Sequence, residues 1–278
     1  MCIRDRPRST YYYRQQRSEA KQQEDQKIIT RLEQLAREFS RYGVRRMTAQ
    51  LQHEGFVVNR KRVYRLMQEQ KLLCKVKKRF VVTTNSKHPF ERYPNLYAGN
   101  ILPALNQVWI ADITYIRLRK GNAYLAVILD AFSRRAIGWH LSRTPDASLS
   151  LSALEMAIAT RQPQAGVIHH SDQGVQYACH AYTGLLKQHG FRISMSRKAN
   201  PYDNAQAESF MATLKKEEVY LSDYRTYEEA AARLPRFIDD VYNRKRLHSS
   251  LGYLSPVAFE IKQNQPQQPA KTHLSLHS

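Results

Sequence analysis

Apolar residues recur at three- and four-residue steps through Ile28, Leu32, Leu35, Ala36 and Phe39, which predicts an amphipathic helix over 28–39. A second helix is predicted over 45–53, closed by Gly55 and followed by the short apolar stretch Phe56, Val57 and Val58. Asn59 then stands as the N-cap of a third helix over 60–70. There Val63, Leu66 and Met67 can face a small core, while Arg60, Lys61, Arg62, Tyr64 and Arg65 surround the rest. Three short helices, the last one basic, predict a helix-turn-helix module over 28–74.

The texture then changes twice. Residues 71–93 are basic and interrupted by Pro89, with Pro94 just beyond, so they read as a connector able to follow a phosphate backbone. From 107 the chain is rich in β-branched residues, predicting strands over 107–118, 123–132 and 136–142, the first two joined by a turn at Lys120, Gly121 and Asn122. Pro145 and Asp146 open a helix over 147–161 that is too evenly apolar for a surface helix. A fourth strand over 167–170, a helix over 178–189, a fifth strand over 191–195 and a long helix over 205–219 complete the pattern. The fold class is therefore α/β, a mixed five-stranded sheet flanked by helices, behind a small all-helical domain. Boundaries fall at 1–27 (N-terminal segment), 28–74 (helix-turn-helix), 75–104 (basic linker), 105–260 (α/β core) and 261–278 (a Gln/Pro-rich tail expected to be disordered).

Charge narrows the partners. The 278 residues carry a net charge of +20, with 44 Lys+Arg against 24 Asp+Glu. Residues 1–100 hold 23 of those cations and 9 of the anions, so the first third is the electrostatic footprint. Such an excess implies a polyanion, nucleic acid before an anionic membrane. The longest apolar run, 123–132, is broken by Asp130 and is too short to span a bilayer. Cys2, Cys74 and Cys179 lie far apart with no CxxC, which suggests neither a disulfide framework nor a zinc ribbon and fits a reducing cytoplasm.

The acids in the basic chain carry the chemistry. Asp112 interrupts an apolar strand, where an unpaired carboxylate is costly. Asp172 follows a strand at its carboxyl edge, where open α/β sheets place ligands. Glu208 lies one turn past Asn204 and about two turns before Lys215, so all three share a helix face. Two aspartates on neighbouring strands and a glutamate on an adjacent helix could hold two hard divalent cations through oxygen ligands. Each acid taken alone reads equally as an ion-pair partner or a cap. Asp130 is read as a turn residue and is the reserve for Asp112, the pair His169 and His170 as structural, and Trp109 and Tyr115 as core.

The context of these acids resembles a known family. Asp172 and Glu208 are separated by 35 residues, within His170-Ser171-Asp172-Gln173-Gly174 and Asp203-Asn204-Ala205-Gln206-Ala207-Glu208-Ser209-Phe210. Further matching stretches are Tyr42 to Arg46, Val58 to Met67, Trp109 to Tyr115, and Tyr242-Asn243-Arg244 through His248 to Pro256. From about Ser9 to Glu260 the chain resembles the second-frame protein of IS-three-family insertion-sequence transposases, with an Asp-Asp-Glu integrase core.

The resemblance implies a ribonuclease H-like core in which Asp112, Asp172 and Glu208 are the catalytic and metal-binding acids. It implies two magnesium ions, with manganese as the alternative, and strand cleavage at transposon ends followed by transfer of the freed 3′-hydroxyl. Lys215, seven residues after the glutamate, is expected to aim at end phosphates and Asn204 to lie near the metal or the scissile phosphate. Arg60, Lys61, Arg62, Tyr64 and Arg65 of the basic helix are further expected DNA contacts, as are Lys198 and, unless it caps the next helix, His248. DNA is the expected partner, bound by a homo-multimer, and a first-frame protein is a second one. Residues 1–27 are expected to be the remnant of a truncated further helix-turn-helix. Two rivals stand beside this reading: a non-catalytic DNA-binding regulator, and a ribonuclease H-like nuclease without strand transfer.

Overall fold

The computed structural model describes residues 8–74, 91–97, 104–197 and 204–265. The chain divides into two compact units, Met1–Val81 and Val82–Ser278. Lys198, an expected DNA contact, lies outside the described residues, as does most of the connector.

The first unit holds three helices: α1 (Arg8–Glu38), α2 (Val44–His53) and α3 (Arg60–Glu69). Ile28, Leu32 and Leu35 of α1 are fully buried with Met47, Leu51, Val63, Leu66 and Met67 from the other two. Asn59 caps α3 as expected, its side chain accepting from the Arg62 backbone N–H at 2.8 Å. The expected boundary at residue 27 is corrected: it falls inside α1, which begins twenty residues before the predicted start. Residues 8–42 contain neither proline nor glycine and 14–27 are mostly Gln, Glu, Lys, Arg and Ala, good helix formers that extend the helix beyond its apolar stripe.

The second unit is built on a five-stranded sheet of order β3-β2-β1-β4-β5. Strands β1 (Val108–Arg117), β2 (Asn122–Asp130) and β3 (Ala136–Ser142) form an antiparallel meander. β4 (Ile168–Ser171) and β5 (Arg192–Met195) add in parallel on the other edge of β1. Connecting them are α4 (Ala147–Arg161), capped by Asp146, then the short α5 (Val175–Ala178) and α6 (His180–Gln188). After β5 come α7 (Ala205–Leu214), a wide π-helical turn over Lys215–Val219 and α8 (Tyr220–Ser222). The chain ends in α9 (Tyr227–Arg236), its wide continuation Phe237–Lys245, and α10 (Pro256–Asn264). The predicted tail boundary at 260 is corrected as well, because Ser255 and Pro256 start α10 and Glu260 is buried between Arg135 and Arg161.

The sheet is covered on both faces. Val108, Ile110 and Ile116 of β1 pack with Ala207, Phe210 and Leu214 of α7 and with the α9 segment, while Trp109 and Ala111 pack with α4, α5 and α6. Edge strand β3 is completed by a side chain from a hundred residues away. Asn243 accepts from the Ala136 N–H and donates to the Ala136 carbonyl, both at 2.9 Å, as a neighbouring strand would.

Gly138 of β3 admits α4 at closest approach, since a Cβ there would stand 2.2 Å from the Ala153 carbonyl oxygen and 2.7 Å from the Ala157 Cβ. Gly138→Ala must push the helix off the sheet and is expected to cost about 3 kcal/mol. Urea unfolding checks this, and a midpoint equal to that of the wild type would mean the helix moves freely.

Candidate active site

β1 alternates sides residue by residue, so Asp112 shares the face of Val108, Ile110 and Ile116, the face that α7 covers. It is half-buried, and its Oδ1 accepts from the Ile113 N–H at 2.9 Å. β1 and β4 pair in parallel with Val108 opposite Ile168 and Ile110 opposite His170, a constant offset of 60. Continued by two residues, that register brings Asp172 level with Asp112. Asp172 leaves the strand immediately after Ser171 and turns, its Oδ1 accepting from the Gly174 N–H at 2.9 Å. A Cβ on residue 174 would lie 2.9 Å from that oxygen, so any larger residue there would make the carboxylate shift. The sequence reading quoted Gly174 without seeing this role.

Glu208 is exposed in the first turn of α7, where the helix dipole favours an acid. Burial, and then the charges of Asp172 and Glu208, push the Asp112 carboxyl up to about 8, against the opposing pull of the Ile113 N–H and Lys215. The four charged groups therefore form one electrostatic unit. They do not form a closed cage: among the described residues no three His, Cys, Asp or Glu side chains converge closely enough to enclose an ion.

Lys215 sits half-buried with its Nζ 4.5 Å from the centre of the Tyr115 ring. Burial lowers its pKa and Asp112 raises it. Tyr115, expected in the core, is thus half-buried beside the acids. Asn204 is buried at the start of α7, and its Oδ1 has no partner among the described residues. The turn carrying Lys215 is tied down by Arg246, whose guanidinium donates to both Glu217 oxygens at 2.8 Å. The sequence gives this residue no role, although it stands two past Arg244 within the matching stretch that runs to Pro256.

Other candidates fall elsewhere. Asp130 is fully buried and accepts from the N–H groups of Asn106, Phe132 and Ser133, so it organises a turn. His169 is buried and bonded to the Tyr182 hydroxyl at 2.9 Å, with burial pulling its pKa down to about 3. His248, expected either at DNA or as a cap of the next helix, stands at the N-cap position of the turn Ser249–Leu251, buried against the Tyr242 ring with Arg246 beside it. In the helical unit Arg60, Lys61 and Tyr64 are exposed. Arg62 instead pairs with Glu24 and Asp25, and Arg65 with Asp25 and Glu69, so these two arginines hold α3 to α1 or to itself.

Comparison with known proteins places this architecture. Integrase core domain profiles match residues 103–201 and 189–256, and an HTH-like domain profile matches 22–80. The Insertion element IS600 31 kDa protein of Shigella sonnei is 42% identical over 225 residues, covering 81% of this chain and 83% of its own. Transposase InsF for insertion sequence IS3A of Escherichia coli is 39% identical over 223 residues, covering 80% and 77%. The chain belongs to the IS3 family of transposases.

The fold agrees with that placement. A simian T-cell lymphotropic virus intasome structure, in complex with a PP2A regulatory subunit, aligns with a TM-score of 0.50 at 16% identity over 85% of this chain and 75% of that one. An IS3-family chain of this kind is an integrase-type enzyme of DNA transposition, with the ribonuclease H-like sheet carrying Asp112, Asp172 and, on α7, Glu208.

The crowding of like charge has a measurable consequence. A carboxyl whose folded pKa stands above its unfolded value costs stability once the unfolded chain ionises, so the penalty grows as pH rises from about 4 to about 8. Asp112→Asn removes it. In EDTA the variant is expected to melt above the wild type at pH 8, by about 2–4 °C for each kcal/mol relieved, and to lose that advantage near pH 4. Parallel melting curves across this range would contradict the charge assignment.

Proposed function

We propose that Asp112, Asp172 and Glu208 are the catalytic acids of a two-step DNA reaction at transposon ends. In the first step water attacks a phosphodiester at the end and the P–O3′ bond breaks, freeing a 3′-hydroxyl. In the second, that hydroxyl attacks another phosphodiester and displaces its 3′-oxygen. The observation that carries this reading is the β1–β4 register, which sets two aspartates side by side on the face covered by the helix bearing the glutamate.

The donor set fits a hard divalent ion, being all oxygen and carrying mutual repulsion that positive charge relieves. Two magnesium or manganese ions held by these three carboxylates would supply activation of the attacking oxygen and stabilisation of the leaving one. The chain's own groups do the rest. Gly174 fixes the orientation of Asp172, and Lys215 presents a cation toward the phosphate from the same helix face as Glu208. Asn204, buried at the start of α7, offers an Oδ1 that has no partner among the described residues. Exposed Arg60, Lys61 and Tyr64 on α3 grip the terminal repeat, and affinity there falls with salt as counterions are no longer released. Joining needs two ends at once, so the active species is a multimer on DNA.

A labelled transposon-end oligonucleotide with magnesium tests this. Joined product is expected from the wild type; cleavage without joining would identify a nuclease, and binding without cleavage a regulator. Glu208→Gln is expected to reduce both steps by about two to three orders of magnitude while end binding holds, since Glu208 is exposed and its loss does not unfold the core. Strand transfer at the wild-type rate by this variant would remove Glu208 from the site.

A further inference from the structure

The segment preceding the α/β core lies against the sheet edge. The Leu96 N–H donates to Ser194 Oγ of β5 at 2.9 Å, and that hydroxyl is 2.8 Å from His170 Nδ1 of β4. Tyr97, the next residue, lays its ring against the His170 ring at 5.2 Å between centroids. Its hydroxyl is bonded to the side-chain amide of Gln206 on α7 at 2.8 Å. Gln206 is half-buried, and its Oε1 has no partner among the described residues, so the bond to Tyr97 is the polar anchor of this amide.

The positions of these two contacts are what matters. His170 is two residues before Asp172 on β4, and Gln206 is two residues before Glu208 on α7. One side chain therefore touches both elements that carry the second and third acids, in each case at a residue two positions before the acid. The acids do not enclose an ion as they stand, so the spacing between these two elements decides whether they can.

We infer that Tyr97 is a positioning residue, a clasp that limits the distance between the β4 end and the start of α7 and so keeps Asp172 and Glu208 near enough for a bound ion to draw them together. The inference rests on the catalytic reading above. Its chemistry is a phenol hydroxyl used as a fixed-length strut: the ring is pinned on a buried histidine and the tip pins an amide. Loss of such a supporting bond loosens the ligands it orients.

Tyr97→Phe keeps the ring on His170 and removes only the hydroxyl, so folding is preserved. The cleavage rate at saturating end DNA is expected to fall about tenfold, and the magnesium concentration that half-saturates stabilisation against heating to rise about tenfold, with end-DNA affinity and the metal-free melting temperature unchanged. Gln206→Ala is expected to match it, and the double variant to be no worse than either single one. Wild-type rate and wild-type magnesium dependence in Tyr97→Phe would overturn the clasp. So would a lowered metal-free melting temperature with magnesium dependence intact, which would make Tyr97 a packing residue. If the wild type itself neither cleaves nor responds to magnesium, while Glu208→Gln behaves identically, the catalytic reading falls and the clasp falls with it.

Discussion

Strand β1 has to satisfy two opposed demands. It is paired along both edges and packed on both faces, with Trp109 and Ile110 wholly buried, and yet it must carry an ionisable carboxylate at Asp112. The sheet can hold an acid there because Asp112 lies beyond the last paired residue of β4, where the partner strand has already turned away. The same geometry makes the site. A parallel neighbour that stops just short leaves its next residue, Asp172, level with Asp112, and the two carboxylates stand together at the carboxyl edge of the sheet. Moving β4 by one residue would exchange every inward and outward side chain on it, so the hydrophobic packing of the sheet enforces the alignment of the acids.

The abundant cations are used in two ways. Some are structural: Arg246 is buried on Glu217, Arg135 and Arg161 converge on Glu260, and Arg62 with Arg65 takes up Asp25. These pairs contribute most where burial makes a missing partner expensive, as at Glu260, and little where both groups are wet, as for Arg65 with Glu69. The remainder, exposed Arg60 and Lys61 among them, is available to a polyanion. These pairs leave the net charge of +20 unchanged but take five arginines, Arg62, Arg65, Arg135, Arg161 and Arg246, out of the 44 Lys and Arg that could meet a polyanion.

Much of this was readable in the sequence because the signals are local. Asn59 and Asp146 announce two helix starts by their cap chemistry, β-branched runs announce the meander, and alternation along β1 already assigns Asp112 a face. What escaped reading is of two kinds. Helix α1 exceeds its predicted range because its first half lacks an apolar stripe, and α9 keeps Ala230, Leu234, Phe237 and Ile238 at helical spacing across Pro235, a residue that ordinarily ends a helix. Past that proline the helix continues as the wide segment Phe237–Lys245. The other kind is contact at long range: Asn243 on Ala136, Arg246 on Glu217 and Tyr97 on Gln206 leave no periodic trace. For the same reason the sequence leaves His248 open between a DNA contact and a helix cap, since its burial against Tyr242 is visible only in the packing.

Helix α7 is where those two kinds of information meet. Its apolar face, Ala207, Phe210, Met211 and Leu214, is legible and fixes which side it turns to the sheet. Apolar packing alone, however, tolerates small slides along a helix axis, and a slide of 1 Å is enough to spoil alignment of reacting groups. The helix is held against that by polar contacts at either end, Gln206 on Tyr97 before Glu208 and Glu217 on Arg246 beyond Lys215. Glu208 and Lys215 lie between these anchors, one by the acids on β1 and β4 and the other over the Tyr115 ring. Hydrophobic burial thus sets the face, and directional bonds from remote parts of the chain set the register, which is the division of labour that a site built across a sheet and a separate helix requires.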